Sequence, residues 1–484
     1  MEDIISRIHL LFSRISADKI SSIVKLPESG GDRKYYRFTA NGSGGERSYI
    51  ATFSTDVNEN RVFISWSRHF FEKRLSVPVI YAVADDNSLY IQEDLGDKSL
   101  LDIRLKEGDS DYVFSLYKKS LLELARLQIL GDRGLDYSIV TTSGEFGREA
   151  VLHDLLYFKF YFVDTLKLKY DREKLLSEFQ TIATELSSST RKHFMFRDFQ
   201  GRNIMVRNEE VFFIDYQGGM KGPAVYDAAS LLWQAKADLS PSWRAELFEY
   251  YVECLVNISD EKIEPAILRK EYQGLVLLRL LQVLGAYGFR GLFERKQHFI
   301  SSIPKGIENL SAFKSDFGIP GKYPELNHVV SLLIEDESLQ KMEARSAIDS
   351  PLLVTINSFS FTQRGYPPDA TGNGGGFVFD CRGILNPGRI DEYKSQTGRD
   401  EPVKVYLEQR TRMPEFLRTV YDTVDIAVEN YIERGFENLT VSFGCTGGRH
   451  RSVYAADSLA KHLREKYKVR TSVNHLEQNY TENI

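Results

Sequence analysis

FRDFQGRNIMV (residues 196–206) and, four residues further on, VFFIDYQGG (211–219) decide the reading of this chain. Asp198 is followed five residues later by Asn203, which stands just before an apolar strand-like run, and Asp215 ends the next such run ahead of a glycine turn. Phosphoryl transfer needs a carboxylate beside the attacking hydroxyl, together with oxygen ligands that hold Mg²⁺ on the nucleotide phosphates. Asp198 meets the first need. Asn203 and Asp215 meet the second, because Mg²⁺ takes hard oxygen ligands and few of them from protein. Each residue alone reads as an ordinary hydrogen-bonding turn residue. The three at this spacing point to a kinase with ATP and Mg²⁺ as its cofactors.

The surroundings agree with that chemistry. Upstream, residues 1–24 read as an amphipathic helix, followed by a polar turn, PESGGDRKYYRF, and a second strand-like run, RSYIATFS. A helical stretch near Val62 to Leu75 and two further strands, VPVIYAVADD and SLYIQEDL, complete a small β-rich lobe over residues 1–97. From residue 98 to 325 leucine spacing turns helical, as in SLYKKSLLELARLQILG, and only HFMFRDF and NIMVRNEEVFFIDYQ interrupt with strands. Residues 326–350 read as a charged linker. Beyond it, residues 351–484 alternate strand and helix, which is the pattern of a compact α/β domain. The expected fold is therefore an α+β, protein-kinase-like, two-lobed unit followed by a separate α/β domain.

A chain of 484 residues exceeds one ordinary domain of about 100–200 residues, consistent with this division. A net charge of -6 argues against nucleic-acid binding by bulk attraction. Three isolated cysteines and nine scattered histidines give no disulfide framework and no zinc spacing. With no signal-peptide pattern at the start and no uninterrupted apolar span, the expectation is a cytoplasmic protein without a membrane partner.

The residues from about 5 to 315 resemble the aminoglycoside phosphotransferase/choline kinase family, and within it the anomeric sugar kinases that act on N-acetylmuramate and N-acetylglucosamine at C1. DRKYYRF (32–38), QEDLGD (92–97), FRDFQGRN (196–203), IDYQ (214–217) and GPAVYDAASLL (222–232) carry the resemblance. It implies that Asp198 orients the acceptor hydroxyl, that Asn203 and Asp215 bind Mg²⁺, and that Glu93 to Leu95 form the hinge under adenine. The turn before Phe38 would cover the phosphates, aided by Arg33 or Lys34. Two features depart from the pattern. Phe196 stands where the family often has His, and the third strand, YIATFSTD, lacks the phosphate-binding Lys of protein kinases. Asp227 reads either as a substrate contact or as a buried helix cap.

LTVSFGCTGGRHRSVYAADSLAKHL (439–463) is a strand, a glycine loop and a helix, an arrangement that presents backbone N–H groups to an anion. Together with FVFDCRGILNP (377–387) and TGRDEPV (397–403) it resembles the C-terminal domain of the RapZ family of RNase adapter proteins. That resemblance implies RNA binding and sensing of an amino-sugar phosphate. Asp380, Arg382, Thr446, Gly447, Gly448, His450 and Arg451 would line the phosphosugar pocket. Lys+Arg and Asp+Glu are equal over residues 351–484, so charge favours the small ligand over RNA, whose affinity comes mainly from cations. Cys445 and Arg451 also fit the C-x₅-R loop of cysteine phosphatases. The leading expectation is an amino-sugar kinase joined to a phosphosugar sensor. The alternatives are a regulatory adapter whose kinase lobe only binds nucleotide, and a kinase of another small alcohol or aminoglycoside.

Overall fold

Tyr36, Phe38 and Ala40 alternate with more exposed neighbours, so one face of their strand is apolar and seeks a covering layer. In the computed structural model, which describes residues 2–26, 33–42, 45–140, 143–189, 191–294, 296–342, 351–368 and 376–483, that strand is β2 (Lys34–Gly42). It lies in an antiparallel five-stranded sheet with β1 (Lys19–Lys25), β3 (Gly45–Phe53), β4 (Ile80–Val83) and β5 (Leu89–Glu93), in the order β1-β2-β3-β5-β4. Helix α1 (Glu2–Phe12) covers its apolar face with Ile8, Leu11 and Phe12. Helix α2 (Val57–Glu72) follows β3, and its first turn is capped by Asp56, which accepts from the Glu59 N–H at 3.0 Å.

The opening helix is shorter than the sequence pattern suggests. It ends at Phe12, and residues 19–25 form β1 instead. The register explains the difference. A bulge between Ile20 and Ser22 pairs Ile20 with Ala40 and Ile23 with Phe38. Two residues three apart therefore share one face of a strand, which mimics helical spacing.

The helical part comprises α3 (Leu100–Glu107), α4 (Asp111–Leu130), α5 (Arg148–Phe158), α6 (Arg172–Ser187), α7 (Val225–Leu232), α8 (Pro241–Ile258), α9 (Pro265–Tyr287), the single turn α10 (Gln297–Ile300), α11 (Ile303–Asp316), α12 (Pro324–Glu335) and α13 (Glu337–Gln340). Two small antiparallel pairs lie among them: β6 (His193–Met195) with β9 (Met220–Gly222), and β7 (Ile204–Arg207) with β8 (Glu210–Phe213). Helical structure runs on through most of residues 326–342, the stretch whose sequence reads as the start of a linker. Leu326, Val329, Val330 and Leu333 are buried, and Glu178 accepts from the Glu325 and Leu326 N–H groups at 2.9 and 2.8 Å. Those are orphan donors of a helix start, so the carboxylate both caps α12 and opposes its dipole. The expected boundary at Ser350 lies outside the described residues. By chain contacts, residues 1–288 with 302–341 form one compact unit, and residues 342–484 with 289–301 another.

Pro265–Phe293 is, among the described residues, long and apolar enough by length and composition to cross a membrane. Its Leu275, Val276, Leu278, Leu281 and Leu284 are buried core residues.

The second unit has a sheet of order β11-β12-β10-β13-β14. Its strands are β10 (Leu353–Ser360), β11 (Phe377–Asp380), β12 (Asn438–Cys445), β13 (Arg470–His475) and β14 (Tyr480–Asn483); β14 alone pairs antiparallel. Its helices are α14 (Glu401–Arg410), α15 (Met413–Arg434) and α16 (Arg451–Tyr467). Val354, Ile356, Val441 and Phe443 of the sheet share a core with Val420, Val424 and Val428 of α15 and with Ala456, Leu459 and Leu463 of α16. The carboxyl ends of β10 and β12 lie side by side, with Ser360 paired to Cys445. Open α/β sheets bind ligands at such strand ends.

Candidate active site

The β7–β8 hairpin brings two of the expected residues together. Ile204 pairs with Phe213, and the Ile214 N–H donates to the Asn203 carbonyl at 3.0 Å, so Asn203 and Asp215 stand at the same end of the hairpin. Asn203 is buried and donates from Nδ2 to the Asp198 carbonyl at 2.9 Å. That bond ties the Asp198 loop to the hairpin and fixes the amide, leaving Oδ1 without a protein donor among the described residues. Asp215 has φ of 70°, and Arg197 beside Asp198 has φ of 78°. Non-glycine residues held in this region cost roughly 1–3 kcal/mol each and persist only where the surroundings over-determine them.

Asp227 supplies much of that determination. Fully buried on α7, it accepts from the backbone N–H groups of Phe196 at 2.7 Å and Arg197 at 2.9 Å, and from Gln128 Nε2 at 2.8 Å. Burial pushes its carboxyl up to about 7, against the pull of those donors. Asp227 is thus the cap of the Asp198 loop rather than of its own helix. The Arg197 side chain is anchored on the far side by Asp154 at 2.7 and 2.8 Å and by Tyr226 Oη at 3.1 Å. Asp227→Ala leaves three buried donors unmatched at about 1–3 kcal/mol each. Allowing for relaxation, we expect a loss of roughly 2–5 kcal/mol in urea unfolding. A loss under about 1 kcal/mol would show that the loop holds its shape without this carboxylate.

Asp198 itself accepts from Gln200 Nε2 at 2.6 Å and Arg279 Nη2 at 3.1 Å on Oδ1, and from Arg202 Nη2 at 2.9 Å on Oδ2. Burial alone would raise its pKa; Arg279 and Arg202 outweigh burial and hold it below the ordinary Asp value.

Arg33 is a cation near Asp215, whereas the third strand offers none. Thr52 is wholly buried there and pairs with Tyr35 and Tyr90, so that position offers no cation. The Arg33 guanidinium instead lies 3.4 Å from Glu59 of α2 and 3.8 Å from Asp215. Burial disfavours its charge, but Tyr90, Glu59, Tyr35 and Asp215 together raise its pKa. Gln217 completes the cluster, donating to Asp215 Oδ1 at 2.7 Å and to Glu59 Oε1 at 3.1 Å. Lys34 opens β2 opposite Phe53. Gly30, Gly31 and Asp32 of the expected phosphate-covering turn lie outside the described residues.

Glu93 ends β5, and its carboxylate is engaged by Arg207 Nη2 at 2.5 Å and by the Val79 N–H at 3.2 Å. Its side chain is therefore structural. Leu95 is buried, and among the described residues its backbone N–H finds no protein acceptor. Its block, QEDLGD, is paired with the block DRKYYRF: Arg37 binds Asp94 at 2.8 Å and Asp97 at 2.5 Å.

In the second unit the residues expected around one pocket divide. Gly448, at φ of 64°, approaches so closely that a Cβ there would meet Glu477 Cγ at 2.4 Å and the Ser360 N at 3.0 Å. The Thr446 carbonyl accepts from Ser360 Oγ at 2.6 Å and Thr362 Oγ1 at 2.7 Å. Among the described residues, the N–H groups of Gly447 to Ser452 reach no protein acceptor, which leaves a run of consecutive donors. A Cβ at Gly447 would meet open space. The Arg451 side chain is committed to other partners. It is 3% exposed and donates to the carbonyls of Arg382 at 3.1 Å and Ile384 at 2.7 Å, and to Thr446 Oγ1 at 3.2 Å. His450 is also buried, bound to the Tyr393 carbonyl at 3.0 Å, and burial lowers its pKa. Asp380 and Arg382 pair with each other at 2.6 Å and remain partly exposed. Cys445 is buried against Ser452 Oγ at 3.2 Å. A thiol so placed, with Arg451 turned to carbonyls, lacks the arrangement of a phosphatase nucleophile.

Glu59, Gln217, Arg202, Arg279 and Asp154 are the site residues that sequence reasoning missed. Arg202 and Gln217 stood inside the quoted blocks FRDFQGRN and IDYQ without a role, and Arg279 stood out as a single cation inside the apolar run LVLLRLLQVLG (275–285).

Residues 23–259 match the sequence model of the phosphotransferase enzyme family, and residues 352–479 that of the RapZ C-terminal domain. Among curated proteins, a "Nucleotide-binding protein" of Fervidobacterium nodosum is 35% identical over 154 residues, covering 30% of this chain and 52% of that protein. One from Thermotoga sp. strain RQ2 is 32% identical over 179 residues, covering 36% and 60%. The chain thus spans about half the length of these relatives. Among solved structures, an amicoumacin kinase in complex with AMP-PNP, Ca²⁺ and Ami aligns at 12% identity with a TM-score of 0.44, over 71% of this chain and 95% of that one. A choline kinase from Cryptosporidium parvum aligns at 13% and 0.46, over 68% and 99%. The two sequence-model matches thus give the chain a phosphotransferase-family domain over residues 23–259 and a RapZ C-terminal domain over residues 352–479.

Proposed function

We propose that this protein is a cytoplasmic, ATP-dependent amino-sugar kinase acting on N-acetylmuramate or N-acetylglucosamine at C1, joined near residue 350 to a phosphosugar-binding domain. The observation that carries the kinase reading is the gathering of Asp198, Asn203 and Asp215 around one hairpin end, held by the Asn203–Asp198 bond. Asp198 accepts the hydroxyl proton or orients the hydroxyl. The donor set of Asn203 Oδ1 and the Asp215 carboxylate is all oxygen and suits Mg²⁺, which when bound neutralises charge on the nucleotide phosphates. Arg33, beside Asp215, adds a fixed cation on the phosphate side, and the Leu95 N–H is the adenine hinge donor. The free row of N–H groups from Gly447 to Ser452 supports the phosphosugar reading of the second unit.

Phosphorus NMR of the products formed from ATP and a panel of free amino sugars, aminoglycosides and small alcohols tests the kinase reading. A new anomeric phosphate from N-acetylmuramate or N-acetylglucosamine is expected. ATP turnover with none of the panel would leave the adapter reading in its place.

The second unit is tested by calorimetry with glucosamine 6-phosphate and glucosamine. The phosphorylated sugar should bind at least about tenfold more tightly, a gap of ~1.4 kcal/mol. Gly448→Ala should abolish that gap, since a side chain cannot fit between Ser360 and Glu477, whereas Cys445→Ser should keep it. Phosphate release that disappears in Cys445→Ser would instead establish a phosphatase.

A further inference from the structure

Both oxygens of Asp198 already hold partners, and an acceptor hydroxyl must displace one of them. Arg279 cannot readily leave. It comes from α9, is almost wholly buried, and donates also to Gln282 at 3.0 Å. Arg202 can leave. Its side chain is 58% exposed, and its pair with Asp198 spans four residues of an exposed turn. Exposed pairs of this kind are worth about 0–1 kcal/mol, so separation is cheap.

The balance of charge then asks what Arg202 meets once displaced. Three guanidinium groups, of Arg197, Arg202 and Arg279, surround two carboxylates, of Asp154 and Asp198. Arg197 is locked by Asp154 and Tyr226 and is no donor for a ligand. Asp227 is satisfied by backbone donors behind the loop. The exposed cation of this cluster is Arg202, and its hydrogen-bond partner among the described residues is the Asp198 oxygen that an acceptor hydroxyl must take. An ammonium-bearing acceptor would meet repulsion here. An acidic acceptor would meet a planar fork suited to carboxylate.

We propose, resting on the kinase reading above, that the acceptor carries an anionic group beside its reacting hydroxyl and that Arg202 is the specificity residue that reads it. Arg202 leaves Asp198 Oδ2 for the anion of the acceptor, and the vacated oxygen receives the hydroxyl. An acidic acceptor thereby releases the catalytic carboxylate as it binds, and a neutral one must compete with Arg202 for it.

The experiment compares kcat/KM for acid and neutral sugars of one shape in wild type, Arg202→Ala and Arg202→Lys. N-acetylmuramate and N-acetylglucosamine differ by a lactyl carboxylate; glucuronate and glucose form a second pair. Wild type should prefer the acid member, and Arg202→Ala should cut that preference by a factor on the order of 10–100, the value of one charge-assisted contact. Arg202→Lys should restore part of it. The ratio is taken within each protein, so a folding defect cancels. Equal losses for acid and neutral sugars with a raised KM for ATP would place Arg202 on the nucleotide and overturn the proposal. An unchanged ratio, or a wild-type preference for the neutral sugar, would overturn it as well. If no sugar is phosphorylated, the kinase reading fails. The proposal is then read by calorimetry, where failure of wild type to bind the acid sugars more tightly than Arg202→Ala overturns it.

Discussion

Asp198→Asn is expected to lower phosphotransfer by roughly 10²–10⁴-fold while nucleotide affinity stays close to wild type. The substitution keeps the shape of the side chain, and the amide oxygen can still accept from Arg279 or Gln200, so the loop keeps its tie to Asn203 through the unchanged backbone carbonyl. What is lost is the negative charge and the second acceptor oxygen, which are needed by the hydroxyl and not by ATP. The buried Arg279 also loses its counter-charge, so a modest drop in stability should accompany the loss of rate. Steady-state turnover and nucleotide titration on the same preparation separate these effects. Turnover within a few-fold of wild type would remove Asp198 from the chemistry, whatever the fold.

Asp215→Ala is expected to have the second-largest effect, abolishing the Mg²⁺ dependence of nucleotide binding. Asp215 is the carboxylate at the hairpin end, and Asn203 alone offers one neutral oxygen, too little to hold a strongly hydrated cation. The change also removes the acceptor of Gln217 and a counter-charge of Arg33. Arg33 keeps Glu59, so a residual metal-independent affinity for phosphates should remain. Titrating AMP-PNP with and without Mg²⁺ in wild type and variant reads the difference. If the Mg²⁺ dependence persists in the variant, the metal is held elsewhere.

The sequence by itself determined the α+β, kinase-like fold followed by an α/β domain, and it singled out Asp198, Asn203 and Asp215, which the structure brings to one hairpin end. It could do so because both follow from short-range patterns: period-2 and period-3.6 apolarity, and a loop and hairpin confined to residues 196–219. Strand β1 escaped it because one bulge gave a strand the spacing of a helix. For the cation of the proposed phosphate side it offered two candidates, Arg33 and Lys34, without a choice between them. The third strand lacks a lysine, and only sheet register brings Arg33, from the start of the neighbouring strand, to Glu59 on α2 and Asp215 on the hairpin. Arg451 shows the same limit in reverse. Its place at the helix start suggests an anion ligand, and tertiary structure turns it onto the Arg382 and Ile384 carbonyls, 69 and 67 residues away. Tertiary structure alone decided the arginine balance around Asp198, because Arg279 lies 81 residues along the chain. Local sequence fixes which groups a segment can offer; which of them meet across long loops is set by the packing of elements whose separation in the chain carries no signal of their contact.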